Sequence, residues 1–377
     1  MSSENEEKMG DKKILLGILI SFFFFLIRTS PCIGKETSLT LIYTSNTLGE
    51  VELCGCPEGG ANGGLPRRSH YLKTVKEEVK NLLILDGGDA LIMSFFSQES
   101  EREKARKRAE FVLNIYEKIG YDVLNIGDTD LGLGVEYLKA LQKKSKIPFL
   151  SANLKEKKSG RPIFKSHLVK QVDGMRIGII GLLTLDIHPP IQKGLTSYLI
   201  EDPIKAALET IDRYLADCDH IIALAHLTPV EIQTLTKRIS KISIMIGGND
   251  RSFIFPKQFG HSIYVQTDAF GAHVGRMNLK LVKGSEEFMD ILPRTMIQKN
   301  IGEVQKKIEE PKYAGEIEKL KELQKQFKEQ LKTMPNTEGK NTFENYLSLM
   351  HPGIESDPEI DQLIAVSKDR LKRPIPY

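Results

Sequence analysis

Charge of one sign, cysteine, internal repeats and long apolar runs are all scarce in this 377-residue chain. Lys and Arg number 53 against 50 Asp and Glu, a formal net charge of +3 that argues for no particular partner. No Lys/Arg cluster is interleaved with aromatics, which argues against nucleic-acid binding. No segment recurs at a fixed period, which argues against a repeat array. The one long apolar run, ILLGILISFFFFLI at 14–27, follows Lys12 and Lys13 and precedes Arg28 and the small-residue zone TSPCIG. Fourteen residues is short for a membrane span and suits the core of an export signal. Residues 1–34 are therefore expected to be a signal peptide, cleaved after Gly34, and the protein to be periplasmic or extracellular. An uncleaved signal anchor, or a lipid on Cys32, is the alternative and the only expected route to a membrane.

Removing that segment leaves Cys54, Cys56 and Cys218, an odd number that leaves one thiol free in an oxidising compartment. Cys218, in YLADCDHII, reads as a small buried residue at a helix-to-strand junction. Cys54 and Cys56 form a CGC that either closes a strained, reducible disulfide or binds metal.

From residue 39 the apolar strands LTLIYTS, LLILDGG, VLNIG, HIIALAH and ISIMIGG alternate with helical stretches. One such stretch, 98–118, leads to Ile119 and carries Phe111, Val112, Ile115 and Tyr116 on the same face. Alternation of this kind implies βαβ units around a largely parallel core. Segment 164–183 instead reads as a hairpin turning at Asp173-Gly174, and 261–283 as two strands joined at DAFGAH. The predicted fold is α/β, two packed mixed sheets flanked by helices, with a helical C-terminal extension. The main domain is expected over 38–283, a long amphipathic helix or hairpin interrupted at Pro311 over 284–335, and a linker with a short helical tail over 336–377.

Five segments end an apolar run with a polar cluster: TSNTLGE, LDGGDAL, NIGDTDLG, ALAHLTP and IGGNDRS. Loops at the carboxyl ends of strands share one rim, so Asn46, Asp89, Asp128, His226, Asn249 and Arg251 are predicted to converge there. Oxygen and imidazole donors gathered this way suit a hard or borderline metal ion, whereas a guanidinium cannot ligate. His167, His188, His261 and His273 have no partners at ligand spacing, and His70 and His351 read as surface residues.

Together with GGLPR, these motifs resemble in their order those of the 5′-nucleotidase family's catalytic domain, within the calcineurin-like metallophosphoesterases. The resemblance runs over about 38–283 and implies that family's fold. One family metal position falls on Asn46, Leu48, Asp89 and Arg251. Leucine donates nothing, so this position is expected to be lost, with Arg251 paired to Asp89 in place of the ion. The other falls on Asp89, Asp128, His226 and Asn249, a set able to hold one divalent ion, with Mn, Fe or Zn ahead of Mg. A hydrogen-bonded cluster with no ion at all is the alternative. The family's leaving-group histidine falls on Thr129 and its supporting carboxylate on Gly132, while Asp130 reads as an exposed structural aspartate. Two-metal hydrolysis clamps water between ions about 3.5–4 Å apart, so ordinary nucleotidase activity is not expected. The family's base-gripping second domain has no counterpart in the charged, mainly helical stretch after residue 283.

The insertion VELCGCPEGGANGG suggests a distinct branch, and Arg67 and Arg68 beside it read as surface or packing residues. Two functions remain open. The first is an exported hydrolase of phosphoesters or related small anions using at most one metal, with Asn46 and Arg251 orienting or neutralising the substrate. The second is a non-catalytic or redox-linked scaffold, working through CGC or through C-terminal helices that bind a protein partner.

Overall fold

The computed structural model describes residues 36–54 and 62–374. The expected signal and Cys56 lie outside them, as does the side chain of Cys54. The chain first lays down four parallel strands side by side: β1 (Glu36–Thr44), β2 (Leu82–Asp86), β3 (Val123–Asn125) and β4 (Phe149–Leu150). Helices Leu65–Glu78, Glu99–Ile119 and Val135–Lys144 make the crossovers between them.

A second sheet follows. It begins with the expected hairpin of β5 (His167–Val172) and β6 (Met175–Leu183), whose turn residues Asp173 and Gly174 have φ of 47° and 88°. Aspartate and glycine tolerate that left-handed region, which is why the pair turns here. The sheet grows through β7 (His220–His226), β8 (Ile242–Gly247), β9 (Ile254–Phe259) and β10 (Ser262–Gln266), in the order β9-β10-β8-β7-β6-β5. Its central four strands are parallel and its two edges antiparallel.

The chain then returns to the first sheet with β11 (His273–Val282), β12 (Phe288–Asp290) and β13 (Asn341–Leu349), giving the order β12-β13-β11-β1-β2-β3-β4. The two strands expected in 261–283 therefore exist but belong to different sheets, and the loop between them crosses from one to the other. Residues 341–349 were expected in a linker and helical tail, yet they pair antiparallel with β11 from His273↔Leu349 to Lys280↔Thr342. Phe343 and Leu347 pack into the core while polar residues separate them, a mixed pattern too weak to announce a strand.

The sheets face each other through one apolar layer, with Leu41, Tyr43 and Leu85 from the first meeting Ile179, Leu224 and Ile246 from the second. Helices cover both outer faces: Leu72, Val112 and Tyr116 on the first sheet, Ala207, Ile232 and Leu235 on the second. Both faces of β1, β2, β7 and β8 are thus buried, which is why these strands read as continuous apolar runs. Past β12, helices Leu292–Glu309 and Ile317–Lys332 pack on each other around the turn opened by Pro311. No helix among the described residues is long and apolar enough to cross a membrane.

Candidate metal centre

The carboxyl ends of β1, β2, β3, β7 and β8 carry the five polar clusters, and their loops meet. A methyl group built on Gly87 would lie 2.6 Å from the Gly247 carbonyl oxygen, so the loops after β2 and β8 touch backbone to backbone. At this junction Asp89, Asp128 and His226 converge, with one ligand atom from each within 4.8 Å of the others. His226 Nε2 lies 2.8 Å from Asp128 Oδ1 and 3.6 Å from Asp89 Oδ2. The α-carbons of Gly88 and Gly248 wall off the other ring nitrogen, each so close that an added methyl would sit 2.8 Å from Nδ1. Only Nε2 is left to face a ligand.

Asp89 and His226 are buried, and Asp128 is the member open to solvent. Burial pushes the Asp89 carboxyl well above its usual range, opposed by the His226 charge and reinforced by Asp128. Burial alone would lower His226, but Asp89 and its hydrogen bond to Asp128 overcome this and raise it to about 9. Two carboxylates share one imidazole in a buried space, so the site is short of positive charge. This donor set is able to coordinate a single divalent cation, which would supply that charge.

Asp130, expected to be exposed, is buried. Its Oδ2 accepts from the N–H groups of Asp89 and Gly127 at 3.0 and 3.1 Å, and its Oδ1 from Leu91 N–H at 3.0 Å. The three bonds tie the β2 loop to the β3 loop and hold Asp89 at φ 57°. Thr129, in the family's leaving-group position, donates its N–H to Asp89 Oδ1 at 2.9 Å and its hydroxyl to the Ile92 carbonyl at 2.6 Å. Asn46 and Leu48 also hold positive φ, 52° and 56°. Left-handed backbone is unusual for a leucine, and its persistence beside Asp89 marks a loop fixed by its surroundings.

The remaining expected residues are placed unevenly. Asn46 is buried beside the β2 loop; its N–H donates to the Gly88 carbonyl at 2.9 Å and its side-chain amide to the Asp250 carbonyl at 3.2 Å. Its Oδ1 is buried with no hydrogen-bond partner among the described residues. Asn249 is half-buried in the loop after β8, next to the glycine that contacts His226. Arg251 is a correction. It is exposed, and no ion pair joins it to Asp89 among the described residues. Asp89 is buried with His226 as its cation, while Arg251 is exposed. Past it, exposed Phe253 and Phe255 form an edge-on pair with ring centres 5.4 Å apart, and His273 lies 5.7 Å from Phe253. His273 is not partnerless either, since its Nδ1 meets Asp268 Oδ2 at 2.8 Å.

Of the two readings of Arg68, surface or packing, the structure takes the second. The side chain is fully buried, donating through Nη1 to Thr47 Oγ1 at 3.1 Å and to the hydroxyls of Tyr116 and Tyr121 at 2.8 and 3.2 Å. The tyrosine rings stack at 4.0 Å, and Asp86, pushed up to about 6 by burial, completes the cluster. Thr47 lies between Asn46 and Leu48, so this network props the first site loop from below. A signal was available: Arg68 follows Leu65 by three residues and precedes Leu72 and Val75 by four and seven, which is helical spacing on the buried face.

No family profile matches the chain. A snake venom 5′-nucleotidase from Gloydius brevicauda is 24% identical over 254 residues, covering 63% of this chain but only 41% of that protein. Among solved structures, the calcineurin-like phosphoesterase YfkN from Bacillus subtilis superposes with a TM-score of 0.63 at 16% identity, covering 90% of this chain and 99% of that one. The chain has the calcineurin-like metallophosphoesterase/5′-nucleotidase superfamily fold. The 5′-nucleotidase precursor from Thermus thermophilus agrees, with a TM-score of 0.59 at 19% identity over 88% of this chain and 59% of that one. Among the described residues the metal site on this fold is degraded to a three-residue cluster, Asp89, Asp128 and His226, able to coordinate a single divalent ion.

Proposed function

We propose that the protein is an exported phosphoesterase-like hydrolase that uses one divalent ion held by Asp89, Asp128 and His226, with Asn249 as a fourth donor. The observation carrying this reading is the convergence of two carboxylates and one imidazole nitrogen in a buried space short of positive charge. When bound, such an ion supplies Lewis-acid polarisation of a phosphoryl oxygen. The chain's own residues do the rest. Asp130 fixes Asp89, and the Arg68 network fixes the loop bearing Asn46. Arg251, exposed at the rim, meets the charge of an arriving anion. Thr129 stands where the family has its proton donor and commits its hydroxyl to a backbone carbonyl, so a leaving group departs without proton assistance.

Esters with stable, low-pKa leaving groups are therefore the favoured substrates, and the exposed Phe253–Phe255 pair offers an apolar rest for an aryl group. The CGC insertion marks this chain as a separate branch of the superfamily, with its thiols close in sequence to the first site loop. The test is a series of aryl phosphates of falling leaving-group pKa, given to the metal-supplemented full chain beside a nucleoside monophosphate. Rates should climb steeply along the series, vanish in Asp128→Ala, and be far lower for the nucleotide. Equal rates on nucleotide and aryl esters, or no turnover by metal-loaded protein, would contradict the proposal.

A further inference from the structure

At the outer edge of the second sheet, beside β5, lies a cleft of about 840 Å³ that shares no residue with the metal centre. Its volume is in the range of small-molecule sites, about 300–1,000 Å³. Its walls are unusually basic. Lys155 is answered by Glu201 and, at 3.9 Å, by Glu209. Arg161, Lys165 and Arg213 also line it, and none of them makes an ion pair among the described residues.

The backbone at this place departs from the ordinary. Helix Pro203–Thr210 continues into a π-helical turn, Ile211–Leu215. Such turns are rare and recur at functional sites, because the extra residue re-aims the side chains around it. Here Ile211 and Leu215 stay in the core while the consecutive Arg213 and Tyr214 line the cleft. Tyr214 stacks on His167 of β5 with ring centres 4.8 Å apart and planes inclined by 16°, and it remains half exposed. Burial lowers the His167 pKa, so this platform is aromatic surface and not a further charge. Arg161 and Lys165 without an ion-pair partner among the described residues, Arg213 with its guanidinium carbon 5.9 Å from the Tyr214 ring centre, and a half-exposed aromatic pair describe a receptor for an anion attached to a planar group.

We infer that this cleft is a second binding site, for a multiply charged phosphate ester bearing a planar ring, with Arg161, Lys165 and Arg213 on the phosphoryl group and the exposed side of the His167–Tyr214 pair against the ring. The inference does not depend on the hydrolase reading. It is tested by calorimetric titration of phenyl phosphate and of pyrophosphate into the full chain without added metal, and into a His226→Ala variant. Phenyl phosphate should bind both proteins alike. Lys165→Glu and Arg213→Glu, both at exposed positions, should each weaken it by roughly tenfold or more. Tyr214→Ala should weaken phenyl phosphate while sparing pyrophosphate. No binding up to millimolar concentration, binding lost in His226→Ala, or binding indifferent to the cleft variants would each overturn the assignment.

Discussion

Replacing Asp130 with asparagine tests whether the clamp on Asp89 holds the centre together. The aspartate accepts three backbone hydrogen bonds in a buried place, two on Oδ2 and one on Oδ1. Asparagine has one acceptor oxygen. Its best placement keeps the two bonds from Asp89 and Gly127 and turns the amide towards Leu91 N–H, stranding a buried donor at about 2 kcal/mol. The two surviving bonds lose their charge assistance, about 1 kcal/mol each. Part of this is offset, because burial raises the Asp130 pKa and asparagine removes the buried charge. The net expectation is about 3 kcal/mol of destabilisation, and about 5 for Asp130→Ala, which strands all three donors. The chain has no tryptophan, so urea unfolding of metal-free protein is followed by far-ultraviolet circular dichroism. An Asp130→Asn variant within about 1 kcal/mol of the parent, or one less stable than Asp130→Ala, would refute the reasoning.

Gly127→Ala should cost at least as much as Asp130→Asn, since the new methyl would fall 2.0 Å from Asp89 Oδ1 and 2.4 Å from its nitrogen. A loss of about 3 kcal/mol or more, with metal binding abolished, is expected from thermal unfolding and metal titration. In the metal-free protein His226 titrates near 9, so at neutral pH an ion must displace its proton. Affinity should therefore rise by up to about tenfold per pH unit towards that value, as competition titrations can show. The same raised pKa means that the His226 ion pairs stabilise the metal-free fold fully below its unfolded value of about 6.5. That contribution is lost as pH rises through about 9, which urea midpoints of the parent against His226→Gln will report. Phe253→Ala with Phe255→Ala should raise KM for aryl phosphates several-fold and leave kcat nearly unchanged.

Much of this architecture is legible in the sequence because the relevant strands are buried on both faces. Runs such as HIIALAH and ISIMIGG need no partner to be recognised, and the polar residues ending them fall at one rim by topology alone. The trio of Asp89, Asp128 and His226 follows from that. What escapes the sequence is pairing across distance. β13 alternates apolar and polar residues only loosely, and its place beside β11 is set by burial of Phe343 and Leu347. Asp130 reads as one more acid after a strand because its partners are backbone N–H groups, which leave no mark on residue identity. Charge complementarity suggested a bond between Arg251 and Asp89. Burial decided otherwise: the carboxylate is buried and the guanidinium exposed.

One divalent ion is proposed to sit where the Asp89 and Asp128 carboxylates meet His226. Elemental mass spectrometry of the full chain, purified without chelator beside His226→Ala, tests it most directly. About one Mn, Fe or Zn per chain is expected in the parent, and its loss in the variant. Protein free of metal after reconstitution, or a metal content that the variant leaves unchanged, would contradict it.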